Sequence, residues 1–548
     1  MFSVVIKNQK AVKEPPQGPG KDKAIAIMEK YIRWHLSICV WLVLTSLVLG
    51  SPSQSPVPPE LDSLLLQGKE EIYNLHLLKA DSIYDRVITE FPDYPHGYVY
   101  EAYVTLLLYG MDLSNDSLGG VLADQIDVAM DYVRKFKEKY PQHAESYFMD
   151  GLAKGIIGIR DVVNRSYIKG YFNGRSAKKN LEKVVELDST YYDAYLGLGI
   201  FHYYADLLPG VLKFVAKLLG FGGDRKKGKE EILLTAQRGK YFRVEGKFVY
   251  HSARYFLEGE KHYSFLGIQE LYKQYPDNGA LGLMIAYHYR RTGFARKCIE
   301  YLEKINVSAD FPAPQIPNLK YYNMAVSYYD LNEFEIADSL FQLLYELPTR
   351  KSLYYQAAIN FYRGHLADLR FDHDTAVQFY RQIPEHKQTQ YWFQISRSLL
   401  KYPTDSLMYQ YFITRNLLYE RHFDVATKKI QELLTKVDSG ATSTNPDFPF
   451  FLRDLLGEAY YFTGFRTKAR DVYQSMVAQL SSMEDEFRKA WIYIHYGRVL
   501  RSLGYYELAE KMFDKATNID DDYTRLIVSR EKYVLKEMEK KNNTRKSS

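Results

Sequence analysis

Cysteine is almost missing from this chain of 548 residues: Cys39 and Cys298 are the only two. Cys39 lies in an apolar N-terminal run that signal cleavage would remove, so a mature chain has one thiol and forms no internal disulfide. That apolar run, Leu36–Leu49, spans 14 residues, short of the roughly 20 that a membrane-spanning helix needs. A basic stripe is lacking too. The formal charge is +5, but residues 1–50 carry seven Lys or Arg against three Asp or Glu, which leaves the remainder at +1. So neutral a body excludes general nucleic-acid binding, which requires charge to neutralise phosphates. Catalytic patterns are absent as well, with no His-Glu-x-x-His, no Gly-x-Ser-x-Gly and no Cys-x-x-Cys. His365 and His373, near Asp372 and Asp374, straddle a turn and read as exposed turn residues rather than metal ligands. No residue is singled out as catalytic, cofactor-binding or metal-ligating, no cofactor is expected, and the chain reads as a non-enzyme.

What the chain does have is aromatic residues, with 50 Tyr and 29 Phe. Tyr fills gaps between helices and keeps a hydroxyl for water, so packing accounts for most of them. The length exceeds one compact core and calls for several domains or a repeat array. A repeat is plain near the C-terminus, in Gly497-Arg-Val-Leu-Arg-Ser-Leu-Gly504-Tyr-Tyr-Glu-Leu-Ala509-Glu-Lys-Met-Phe513-Asp-Lys-Ala516. A small residue, a Gly turn seven positions on, a second small residue at twelve and an aromatic at sixteen describe two antiparallel helices in close contact. This resembles one tetratricopeptide unit. The same spacing sets Gly68 with Ala80 and Tyr84, Ser252 with Ser264, Ala286 with Cys298, Ala325 with Ala337, Gly364 with Ala376, Thr414 with Ala426, and Gly457 with Ala469. The predicted fold is all-α: an α-solenoid, a right-handed superhelix of about ten tetratricopeptide-type helical hairpins. Gly68, Ala80, Ala286, Cys298, Ala325, Ala337, Gly457, Ala469, Gly497 and Ala509 are the expected packing positions, which makes Cys298 a buried thiol rather than a nucleophile.

Taken in order, residues 1–50 are an N-terminal extension and a signal peptide, with an uncleaved membrane anchor as the alternative. Translation from Met28 would give the signal an ordinary length. Residues 51–59 are a Pro/Ser-rich linker. Repeats occupy 60–204 and 229–522, and a capping helix with a basic tail occupies 523–548. A third unit, Gly151 to Ala177, is lengthened by Arg160 to Gly174, and the longest step between units leaves room for an additional helix around Gln388 to Leu400. Localisation is expected to be exported, periplasmic or envelope-associated.

Residues 205–228 break the pattern. After Gly199 the chain runs through Leu207-Leu208-Pro209, an apolar stretch with Phe214 and Leu218, and Gly220-Phe221-Gly222-Gly223-Asp224-Arg225 to Gly228. Asp224 is placed to cap the helix that follows. The block resembles the signature of the tetratricopeptide-39 and inclusion-body clearance family in Leu207, Leu208, Pro209, Gly220, Phe221, Gly223, Asp224, Arg225 and Gly228. That resemblance implies a non-enzymatic helical-repeat protein, with relatives tied to lipid droplets, protein inclusions or the mitochondrial outer surface. An export signal departs from those intracellular relatives and points to a bacterial envelope relative.

Leu207, Leu208, Pro209, Phe214, Leu218, Phe221, Asp224 and Arg225 are therefore the candidate docking or lid residues. The expected function is a scaffold binding protein partners in a concave groove. The alternative is a carrier or sensor for a lipid or other apolar ligand, with 205–222 as lid or membrane contact. Lys320 and Asn323 resemble part of the clamp by which some tetratricopeptide domains hold a C-terminal carboxylate.

Overall fold

The structure, a computed structural model, describes residues 56–547 apart from 113–114, 165, 207–222, 259, 307–314, 348–350 and 519–521. The described residues contain 24 α-helices, one short 3-10 turn and no strand. Eleven antiparallel hairpins account for 22 of the helices. They are α1 (Pro59–Tyr73) with α2 (Leu77–Glu90), α3 (Pro95–Met111) with α4 (Asp116–Lys139), α5 (Ala144–Val163) with α6 (Tyr167–Leu187), and α7 (Ala194–Asp206) with α8 (Arg225–Arg238). Then come α9 (Arg243–Leu257) with α10 (Lys261–Gln274), α11 (Gly279–Arg291) with α12 (Ala295–Glu303), α13 (Gln315–Asp330) with α14 (Phe334–Glu346), and α15 (Leu353–Leu369) with α16 (His373–Tyr380). After a lone helix, α17 (Gln390–Lys401), follow α18 (Ser406–Tyr419) with α19 (Phe423–Asp438), α20 (Phe448–Phe462) with α21 (Arg466–Val477), and α22 (Glu486–Ser502) with α23 (Tyr506–Ala516); α24 (Asp522–Ser547) closes the chain. The additional helix expected near Gln388 is α17.

Each hairpin is set by residues that start, stop and cross. Asn115, Asp224, Asp372, Asp405 and Asp485 accept backbone amides at the first turns of α4, α8, α16, α18 and α22. Leu75, Gly293, Asn332, Phe371, Arg421, Gly464 and Gly504 all have φ between 62° and 85° and end first helices in the left-handed conformation. In six of these seven turns the next amide reaches back five residues, as from Phe294 N to Tyr289 O at 3.0 Å and from Tyr505 N to Leu500 O at 3.0 Å. These are Schellman closures, which satisfy carbonyls left over at a helix end.

Where the helices of a pair cross, the first helix carries a small residue. A Cβ on Gly497 would sit 2.4 Å from the Phe513 ring, one on Gly68 2.5 Å from Tyr84, and one on Gly457 2.6 Å from Tyr473. Ala80, Ala286, Cys298, Ala325, Ala337, Ala469 and Ala509 are all fully buried. The chain forms two compact units, one running to Ile285 with Glu303–Pro317, the other made of Ala286–Leu302 and Asn318 onward.

Candidate functional site

The insertion leaves the α7–α8 hairpin. Leu207, Leu208, Pro209, Phe214, Leu218 and Phe221 lie outside the described residues; Asp224 and Arg225 stand at its base. There the two helices touch backbone to backbone, since a Cβ on Gly228 would meet Tyr203 N at 2.5 Å and Gly199 O at 2.6 Å. Asp224 caps α8 through Lys227 N at 2.9 Å while its own amide donates to His202 O at 3.1 Å. Arg225, Lys229 and Tyr203 all donate to the Glu258 carboxylate, at 3.1, 3.2 and 3.1 Å, and His202 pairs with Glu231 at 2.6 Å. This polar brace closes the hairpin wherever the inserted residues go, so Asp224 and Arg225 act on the turn itself.

The first unit folds back on its own first helix. Lys69 Nζ on α1 lies 2.6 Å from Glu245 Oε1 on α9, with both side chains at or below 1% exposure and the ammonium 3.9 Å from the Phe242 ring centre. Burial drives the Lys69 ammonium down to about 8 against the opposing pull of Glu245. Asn278 donates to Tyr73 O at 2.8 Å, and Tyr73 OH donates to Tyr241 O. Nearby, Asp193 accepts the amides of Lys240 and Phe242 at 3.0 Å each, and burial lifts its carboxyl to about 8. Glu145 holds His96 at 2.8 Å and Tyr191 at 2.9 Å. In a plain solenoid a repeat touches only its neighbours. Here α1 meets residues some 170 to 205 positions later. A lysine at about 8 would be a serviceable nucleophile if reached, but this one is enclosed by rings.

In the second unit, first helices of successive hairpins meet through polar and aromatic side chains. Arg290 on α11 donates to Asn323 Oδ1 on α13 at 3.0 Å, while the Asn323 amide is spent on Leu319 O at 2.7 Å. Asn323 is buried and so engaged, which removes it from any carboxylate clamp. Tyr329 OH meets His365 Nδ1 at 2.7 Å and receives Arg415 at 3.1 Å. His365, expected as an exposed turn residue, is in fact buried: it follows Gly364 on α15 and faces α13 and α18, with the Phe412 ring 4.2 Å away. Burial pushes its pKa well below the ordinary value. His373 lies at the turn, beside Asp368 at 2.8 Å. Burial also pushes the Cys298 thiol up to about 11, leaving it protonated and inert.

Helix α17 occupies the same first-helix side. Trp392 packs on Tyr354, Phe361 and Tyr362 of α15, and Tyr391 reaches Phe487 on α22 and Tyr523 on α24. The hairpin-turn edge of this unit is different in kind. Phe294, Ile336, Phe371, Val425, Phe465, Tyr505 and Leu508 are exposed there, each at a left-handed turn residue or within one helical turn after it. The repeat spacing thus yields an apolar ladder on the solvent side.

One polar cluster escaped the sequence reading. Asp454 and Glu458 project from one face of α20, and His495 of α22 comes to them: Nδ1 is 3.0 Å from Asp454 Oδ1 and Nε2 3.8 Å from Glu458 Oε1. Burial raises the Glu458 pKa; the two carboxylates raise that of His495 against its burial. In repeat register these are positions −3 and +1 about Gly457 and −2 about Gly497, which lie side by side once hairpins stack; that register was the available signal.

Comparison with known proteins finds one family model that matches part of the chain. Residues 175–398 match the model of the family described as Iml2/Tetratricopeptide repeat protein 39. The match spans the Leu207–Gly228 block and agrees with the resemblance read from it. No curated protein sequence matches. Among solved structures, the chain is similar to Pseudomonas aeruginosa pilF at 18% identity, over 46% of this chain and 99% of that one, with a TM-score of 0.30. It is similar to yeast Tom70 at 13% identity, over 90% and 93% of the two chains, with a TM-score of 0.29. The tetratricopeptide domain of P58(IPK) aligns at 11% identity over 87% and 99%, with a TM-score of 0.20.

Proposed function

We propose, for a helical-repeat chain whose residues 175–398 match the Iml2/Tetratricopeptide repeat protein 39 family, a non-enzymatic scaffold that binds a protein partner. The observation that carries this reading is the apolar ladder from Phe294 to Leu508 along the hairpin-turn edge of the second unit. Exposed apolar side chains repeated at successive hairpin turns present a strip for another protein rather than a pocket for a small molecule. The first helices of this unit meet α17 and one another through aromatic and paired polar groups, so the turn edge is the surface this reading takes. No helix among the described residues is long and apolar enough to cross a membrane.

The setting we infer is export, periplasmic or envelope-associated, from the run Leu36–Leu49 and the small residues after it; an uncleaved anchor is the alternative. Fractionation with N-terminal sequencing of the natural product tests this: a mature start near Ser51 supports it, and retention of residues 1–27 in a cytosolic fraction overturns it. The carrier alternative would place a lipid under residues 205–222.

Affinity capture from native extract followed by mass spectrometry tests the scaffold. A stoichiometric protein partner supports it. A co-purifying lipid that disappears on deleting residues 207–223, with no protein partner, overturns it in favour of the carrier.

A further inference from the structure

We infer that Asp454, Glu458 and His495 form a binding site for a first-row divalent cation, with Zn2+ as the type. One ligand atom from each residue lies within 4.8 Å of the other two. Asp454 Oδ1 stands 3.0 Å from His495 Nδ1, close to the roughly 3.4 Å that separates two donors of a tetrahedral cation with bonds of about 2.1 Å. The 3.8 Å gap between His495 Nε2 and Glu458 is too long for a hydrogen bond.

The site is built and supported. The two carboxylates are four residues apart on α20, which sets them on one face of that helix. Tyr473 OH donates to Asp454 Oδ1 at 3.0 Å and Tyr419 OH to Glu458 Oε2 at 3.0 Å. Such outer hydrogen bonds fix the orientation of carboxylate ligands. Glu458 and His495 also line a small cavity with Tyr461, Phe462, Tyr473 and Arg498, which leaves open positions for water or a further donor. Arg498 lines the same cavity, and its guanidinium is held by Glu531 at 2.8 Å, so its charge is offset. Two carboxylates and one imidazole then present a net charge near −2 to an incoming ion. A mixed nitrogen and oxygen set of this kind suits Zn2+, Mn2+ or Fe2+ over Ca2+. Because α20 and α22 belong to successive hairpins, the ion would cross-link two repeats.

The test uses the full chain, stripped with a chelator and titrated with Zn2+ against a chromophoric competitor, with Co2+ absorption as a second probe. One equivalent should bind, and Asp454→Asn and His495→Gln should each weaken it at least tenfold. Asp454→Asn keeps an oxygen for Tyr473, so it remains informative if His495→Gln is poorly folded; circular dichroism checks both. Failure of the wild-type chain to take up one equivalent overturns the site. So does uptake that a folded Asp454→Asn variant leaves unchanged.

Discussion

Lys69 and Glu245 are 176 residues apart and form a 2.6 Å ion pair with almost no access to water. The pair ties α1 to α9, so the first unit is closed by a specific contact rather than left as an open stack. Closure of this kind couples residues that a nearest-neighbour solenoid would leave independent.

Removing one partner leaves a buried charge unpaired, which costs about 3–5 kcal/mol. Lys69→Met should therefore destabilise the first unit by that amount, while Lys69→Met with Glu245→Leu should recover most of it. Hydrogen exchange by mass spectrometry reads this locally. Protection should fall together in residues 59–73 and 240–278; loss confined to 59–73 would mean that the pair does not couple them.

His365 should withdraw stability from the second unit in mild acid. His365 is buried neutral, so its folded pKa lies well below the ordinary 6.5. Above about 6.5 neither state binds the proton; below it the unfolded chain does and the folded chain does not. Stability is thus full above about pH 6.5 and falls as pH drops toward the depressed folded value, with a slope approaching about 1.4 kcal/mol per pH unit. His365→Asn should flatten that limb in denaturant titrations followed by Trp392 fluorescence. An unchanged slope would assign it to other groups.

Gly504 and Phe371 separate backbone strain from crowding. Gly504 has φ 85° and open space around it, so Gly504→Ala should cost about 1 kcal/mol from conformation alone. Phe371, exposed at φ 62°, is the converse: Phe371→Gly should be neutral or stabilising by up to about 1 kcal/mol. Thermal denaturation of the two variants should shift in these opposite senses.

At the base of the insertion, Gly228→Ala should be far worse than an ordinary helical substitution. Its Cβ would meet the backbone of α7, which cannot rotate aside, and overpacking costs about 1–3 kcal/mol or more. Gly120 on α4 has nothing within 4 Å, so Gly120→Ala serves as the control and should stabilise by about 0.5–1 kcal/mol. Equal responses at the two positions would contradict the close approach.

The hairpins were legible because the need for small residues is local and periodic: Gly497 and Ala509, or Ala325 and Ala337, must be small wherever two helices cross. The turn at Gly504 was legible for the same reason. Lys69 with Glu245 was not, since a single pair across 176 residues leaves no periodic trace. His365 was misplaced because its turn-like neighbours Asp372 and Asp374 suggested exposure, whereas α18 packs over it. Asp454, Glu458 and His495 match no sequence motif and come together only when hairpins stack. The apolar ladder was hidden because the aromatics were read together as packing, whereas Phe465 and Tyr505 are exposed.

The central claim is that a protein partner docks on the turn edge of the second unit. Site-specific photo-crosslinking in the native host tests it most directly, with the reactive group placed at Phe465 or Tyr505 on that edge and at Tyr362 on the first-helix side. The account predicts one discrete partner adduct from 465 and 505 and none from 362. An adduct from 362 alone, or no protein adduct from the edge positions, would contradict it.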